Sequence, residues 1–141
     1  VNQVEVLLVE DNPDDIDLAL HAFRKNNLTN QIHVVRDGAE AIEFLLGQAV
    51  TPRPKLILLD LKLPKVGGLE VLRRIKQDER TRDIPVVVLT SSLQERDIVD
   101  SYGYGVNSYI VKPIDFQQFT DAVARLGFYW LLLNQGSEKS A

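Results

Sequence analysis

The chain has 141 residues, about one domain, and its 45% hydrophobic content is enough for an ordinary packed core and argues against disorder. A formal charge of −4 with no long basic run gives no electrostatic reason to expect a nucleic-acid partner, and a sequence without cysteine excludes disulfides, thiol catalysis and Cys-based zinc sites. No apolar run reaches membrane-spanning length and Val1-Asn2-Gln3 carry no Lys or Arg of a signal peptide, so no membrane partner and a cytoplasmic location are expected.

Residues 4–9 form a short apolar run that ends in Glu10-Asp11. Asn12 and Pro13 then read as a helix start, with Asn as cap and Pro at the first helical position. Ile16, Ala19, Leu20 and Phe23 recur on one helical face. A second strand is expected at 32–35 and a second helix at 39–46, with Gly47 as its C-cap. The third strand, 56–59, again ends in an acid, Asp60, and Leu69, Leu72 and Ile75 mark the third helix. A fourth strand at 85–89 runs into Thr90-Ser91. Ser92-Leu93-Gln94-Glu95 reads as a capping box opening a fourth helix, whose apolar stripe is only Ile98, Val99 and Tyr102. That thin stripe, followed by Gly103 and Gly105, predicts low local stability. A fifth strand at 106–111 precedes Lys112-Pro113, and a final helix is expected over 115–133 with Phe119, Val123 and Leu126 on one face.

Strands alternating with helices require crossover connections and hence a parallel sheet in an α/β fold. The strands are continuous apolar runs, the mark of burial on both faces. In open parallel sheets function gathers at the carboxyl ends of strands. That rule selects Glu10, Asp11, Asp60, Thr90, Ser91 and Lys112. Three carboxylates on one edge repel, by roughly 4 kcal/mol for a pair about 4 Å apart at an effective dielectric near 20. A hard divalent cation with oxygen ligands offsets this, and Lys112 adds a second positive charge. Such a set suits phosphoryl transfer, with a carboxylate as nucleophile and positive charge on the transferred group.

Glu10-Asp11, residues 58–64 (LLDLKLP), Val88-Leu89-Thr90-Ser91 and residues 109–113 (YIVKP) resemble the signature of CheY-like receiver domains of response regulators, over about residues 4–126. The resemblance implies a flavodoxin-like five-stranded parallel sheet of order 2-1-3-4-5 with five helices, the last extended. It implies that Asp60 is the phospho-acceptor and that Mg²⁺ or Mn²⁺ is held by Asp11, Asp60 and the Lys62 carbonyl, with Glu10 acting through water. Thr90 and Lys112 would bind phosphoryl oxygens, Tyr109 would be the aromatic switch, and Lys112-Pro113 would be cis. The function so implied is a single-domain response regulator of a two-component phosphorelay, phosphorylated by a sensor histidine kinase. It would signal through the face formed by helix four, strand five and helix five, and catalyse nothing beyond its own phosphoryl transfer and dephosphorylation.

The chain departs from the family's usual pattern at Ser91, where Ala or Gly is common, and at Gly67-Gly68, where Asp-Gly is common. Two competing functions are a pseudo-receiver that is never phosphorylated and an aspartyl-phosphate hydrolase. The intact acid, Thr and Lys set argues against the first. Lys62 argues against the second, because hydrolases resembling haloacid dehalogenases need an Asp there. His21 and His33 sit away from strand ends and read as structural or surface residues. The domain is expected to span 1–135, with 136–141 a polar tail and no room for an output domain. The run 128–133 (FYWLLL) is apolar on every side, which predicts a homodimer through the last helix. This ending resembles the receivers that partner phytochrome kinases.

Overall fold

The computed structural model describes residues 5–24, 32–47 and 53–125. Ten elements alternate in chain order: β1 (Val6–Val9), α1 (Pro13–Arg24), β2 (Ile32–Val35), α2 (Gly38–Leu46), β3 (Leu56–Asp60), α3 (Gly68–Gln77), β4 (Val86–Thr90), α4 (Leu93–Ser101), β5 (Ser108–Val111) and α5 (Phe116–Arg125). The strands form one sheet in the order β2-β1-β3-β4-β5, every pair parallel. Every residue of β1, β3 and β4 is buried, as their uninterrupted apolar runs require of strands covered on both faces.

The two-residue repeat of a strand divides the core into two halves. Val6, Leu8, Leu56, Leu58, Val87 and Leu89 meet Ala19 and Phe23 of α1 and Phe119 and Ala122 of α5. The rings of Phe23 and Phe119 lie edge to face at 4.6 Å between centroids. On the other side Leu7, Val9, Ile57, Leu59, Val86 and Val88 meet Ala41 and Leu45 of α2, Val71, Leu72 and Ile75 of α3, and Val99 of α4. Each of the Val, Leu, Ile and Phe side chains contributes about 1.5–3 kcal/mol on full burial.

Several boundaries differ from the sequence expectation for local reasons. Helix α2 begins at Gly38 because Asp37 is its cap, accepting a hydrogen bond from the Glu40 N–H at 2.7 Å. Gly47 is the C-cap, yet its φ of −69° is not left-handed. Space decides that position, since a Cβ would stand 2.3 Å from the Glu43 carbonyl oxygen that accepts the Gly47 N–H. Strand β5 starts at Ser108, not 106. Asn107 there gives its N–H to the Val86 carbonyl at 3.0 Å, but the Val86 N–H goes to the Asn107 Oδ1 side chain, also at 3.0 Å, in place of a backbone acceptor. At α4 half of the expected capping box forms: Ser92 Oγ accepts the Glu95 N–H at 3.2 Å, but the Glu95 carboxylate reaches past Ser92 to Ser91. Phe119 is buried as expected, whereas Leu126, the run 128–133 and the tail 136–141 lie outside the described residues.

Candidate functional site

The carboxyl ends of β1, β3, β4 and β5 converge on one edge. Glu10 follows β1 and is almost fully buried, with its backbone N–H on the Val35 carbonyl at 3.0 Å and its Oε2 accepting the Asn12 N–H at 3.2 Å. Asn12 Oδ1 in turn accepts the Asp15 N–H at 3.0 Å and starts α1, with Asp15 in its first turn. Asp11 remains exposed between them.

Asp60 ends β3 with 2% exposure. The Lys62 backbone N–H points to Asp60 Oδ1 at 3.4 Å. The start of α3 presses against this turn: the Gly68 N–H donates to the Leu61 carbonyl at 3.0 Å, and a Cβ on Gly68 would lie 2.4 Å from the Asp60 carbonyl oxygen. Glycine is therefore required there by contact. Thr90 ends β4, buried, and its Oγ1 has no hydrogen-bond partner among the described residues. A buried hydroxyl without a partner costs free energy, so it marks a place where a polar group is to be received.

Lys112 follows β5, its N–H on the Thr90 carbonyl at 2.8 Å and its peptide bond to Pro113 cis, in line with the family resemblance. Its Nζ lies 2.9 Å from Glu10 Oε1, 3.1 Å from Asp15 Oδ2 and 3.1 Å from Asp60 Oδ2. Burial pulls the ammonium pKa down, but Glu10, Asp15 and Asp60 outweigh it and the net shift is upward. Burial first, then the neighbouring Asp60, pushes the Glu10 carboxyl up to about 7.

Ligand oxygens of Glu10, Asp11 and Asp60 all lie within 4.8 Å of one another. One ammonium cannot neutralise these three and Asp15 together, so Asp60 adds to the upward push that burial gives Glu10. The donor set is carboxylate oxygen throughout, the chemistry that suits Mg²⁺ or Mn²⁺ and not a soft metal. The residues fit a hard divalent cation.

The structure thus brings together Glu10, Asp11, Asp60 and Lys112, with the free hydroxyl of Thr90 on the adjacent strand end. Tyr109 is half-buried and engaged elsewhere: its hydroxyl donates to the Asp100 carboxylate of α4, and the Arg96 guanidinium lies 4.9 Å from its ring centroid. Burial, then Asp100, raises the Tyr109 pKa. His21 and His33 are exposed, and His33 stacks on Phe44 at 4.7 Å. Sequence reasoning missed Asp15. Its partner Lys112 stands 97 residues on, a pairing no local pattern signals. It also missed Glu95 and Asp100, whose partners become visible only in the fold. Among the described residues, no helix is long and apolar enough to cross a membrane.

A model of the response regulator receiver domain matches residues 6–124. The chain is 43% identical over 132 residues to a probable methanogenesis regulatory protein, FilR2, of Methanothrix harundinacea, covering 92% of this chain and 85% of that one. It is 40% identical over 129 residues to response regulator Rcp1 of Synechocystis, covering 89% and 88%. Among solved structures, the bacteriophytochrome response regulator RtBRR matches with a TM-score of 0.81 at 48% identity, covering 89% of this chain and 78% of that one. The Mn(2+)-bound form of Rcp1 matches with a TM-score of 0.71 at 40% identity, covering 91% and 94%. Sheet order, an acid-lined strand edge and a family match over most of the chain lead to one conclusion: the chain belongs to the response regulator receiver-domain family of two-component signalling.

Proposed function

We propose that Asp60 accepts a phosphoryl group from a phosphohistidine of a sensor histidine kinase, and that the chain signals through the conformational change that follows. The observation that carries this reading is a buried Asp60 paired with Lys112 at 3.1 Å beside two further acids, with the unpartnered Thr90 hydroxyl on the next strand end. Asp60 Oδ forms the bond to phosphorus while the N–P bond breaks, and the imidazole nitrogen keeps that electron pair. The Lys112 ammonium, now shared among three carboxylates, turns to a phosphoryl oxygen. The Thr90 hydroxyl donates to another and gains the partner it lacks. Hydrolysis of the acyl phosphate restores the carboxylate, the one other reaction assigned to the chain.

Mg²⁺ or Mn²⁺ would be held by Asp11, Asp60 and the Lys62 carbonyl, with Glu10 through water; the clustered acids support a cation here and the manganese-bound form of Rcp1 supports its kind. When bound, the cation supplies the positive charge that lets an anionic donor approach an anionic acceptor. Tyr109 is proposed as the switch residue, since its hydroxyl is tied to α4 while Thr90 has no partner. The face of α4, β5 and α5 is then the output surface. The name of RtBRR supports a phytochrome as the kinase. Residues 1–135 are proposed as the receiver unit, 136–141 as a polar tail, and the apolar run 128–133 as a homodimer contact. We place the protein in the cytoplasm, without a nucleic-acid partner.

Acetyl phosphate with Mg²⁺ should add one phosphoryl group to the intact protein, and sedimentation of the same sample reads its assembly. Asp60→Asn, or a chelator, should abolish the added mass. Equal labelling of Asp60→Asn and the parent would overturn the assignment.

A further inference from the structure

Glu95 occupies the third position of α4, where a capping-box glutamate would return to the N–H of the cap residue. Here it overshoots. Glu95 Oε1 accepts the Ser91 N–H at 3.2 Å and Oε2 accepts the Ser91 hydroxyl at 3.0 Å. Oε2 also stands 3.9 Å from Lys62 Nζ. The Glu95 side chain is only 17% exposed against 74% for Lys62, so the carboxylate is the fixed member of that pair.

These three donors come from just beyond the ends of β3, the acceptor's own strand, and of β4 beside it. Ser91 directly follows Thr90, and Lys62 lies two residues after Asp60 and gives its backbone N–H to Asp60 Oδ1. The buried Thr90 hydroxyl, next in the chain to Ser91, has no hydrogen-bond partner among the described residues. The edge beside Asp60 is thus laid out for an anion, and part of it already holds one from within the chain.

We infer that Glu95 is an internal competitor of the phosphoryl group: its carboxylate occupies Ser91 and Lys62 in the resting protein and yields them when an anion is bonded to Asp60. The inference rests on Asp60 being the phospho-acceptor. Two anions drawing on the same donors repel, and the covalently attached one stays. Glu95 belongs to the first turn of α4, so its release frees that turn from Ser91 and Lys62 while Ser92 still caps the helix. Little else opposes movement, because Val99 is the one buried residue of the helix. Glu95 is a positioning residue that reports the state of Asp60 to α4 by charge, alongside the Tyr109 contact at the other end of the helix.

The test is a titration of the full chain with beryllofluoride and Mg²⁺, followed by the Ser91 backbone amide resonance, in the parent and in Glu95→Gln. Glutamine keeps the shape and an oxygen to accept the Ser91 N–H, so a purely structural cap would be preserved. Only the charge goes. Half-saturation in Glu95→Gln is expected at about threefold lower beryllofluoride, the effect of one partly exposed charge. The Ser91 resonance should move on binding in the parent, as its acceptor changes. Half-saturation that is unchanged or higher in Glu95→Gln overturns the competitor while leaving Asp60 as acceptor. Failure of both proteins to saturate, with no label from acetyl phosphate, overturns the Asp60 reading and the competitor with it.

Discussion

Helices α3 and α4 pack on the same face of the sheet, each a short loop away from a strand that ends at the site. Helix α3 buries Gly68, Val71, Leu72 and Ile75. Helix α4 buries Val99 alone and leaves Leu93 67% and Ile98 55% exposed, with its C-cap Tyr102 54% exposed. In place of apolar packing it has polar tethers: Glu95 to Ser91 and Lys62 at its start, and Asp100 to Tyr109 near its end. The difference has a physical consequence. Apolar burial does not respond to charge, whereas a carboxylate tether does. On the proposed role of Asp60, a phosphoryl group there would alter the local charge and add no apolar contact, so α4 would answer it while α3 stays as the fixed wall.

The largest expected effect tests the packing side of this contrast. Leu72→Ala should destabilise the domain by about 2–5 kcal/mol, the usual range for a cavity left by a buried leucine. Ile98→Ala, one helix away, should stay within about 0.5 kcal/mol of the parent. Urea denaturation measures both. Comparable losses would mean that α4 is packed as firmly as α3, and the contrast would fail.

A smaller effect isolates one tether. Tyr109→Phe deletes the hydroxyl bound to Asp100 and leaves the ring beneath Arg96. About 1 kcal/mol should be lost, and α4 amides should exchange about fivefold faster, with those of α3 unmoved. If both helices speed up together, α4 does not open on its own and a tether is the wrong description.

The strand ends were legible in the sequence because an acid closing an apolar run is conspicuous, which exposed Glu10, Asp11 and Asp60. Thr90 and Lys112 followed from the same rule once the alternation of elements was read. Asp15 was not legible, since its bond to Lys112 joins residues 97 apart and depends on how α1 lies against β5. Glu95 illustrates a subtler loss. The pattern Ser-x-x-Glu specifies that the glutamate turns back, but not whether it stops at Ser92 or continues to Ser91. Tyr109 could be named as a switch, yet its resting partner Asp100 lies across the gap between β5 and α4, a pairing that periodicity does not encode. The exposure of Ile98 and Tyr102 was hidden for the same reason: a stripe on paper shows which residues share a side, not whether a neighbour covers it.

The smallest expected effect concerns the far end of α3, where charge does contribute. Asp78 caps that end, accepting the Arg80 N–H at 2.8 Å and two guanidinium bonds at 3.0 and 2.9 Å. The Arg80 side chain first, then its backbone N–H, lowers the Asp78 pKa to about 2 from 3.8. A carboxylate depressed in the folded state contributes stability that is fully present above its unfolded pKa and is lost as pH falls through the folded one. The parent should therefore melt above Asp78→Asn at about pH 5, and the gap should close on acidification through about pH 4 toward pH 2. It should be small, because Asp78 and Arg80 are both open to solvent screening. A gap that is constant with pH would show that the cap acts through shape alone. Amide exchange within the Val71–Ile75 turn should not follow the gap, since those residues are held by burial and not by the pair beyond them. Exchange that did follow it would make α3 as charge-sensitive as α4, and its role as the fixed wall would have to be given up.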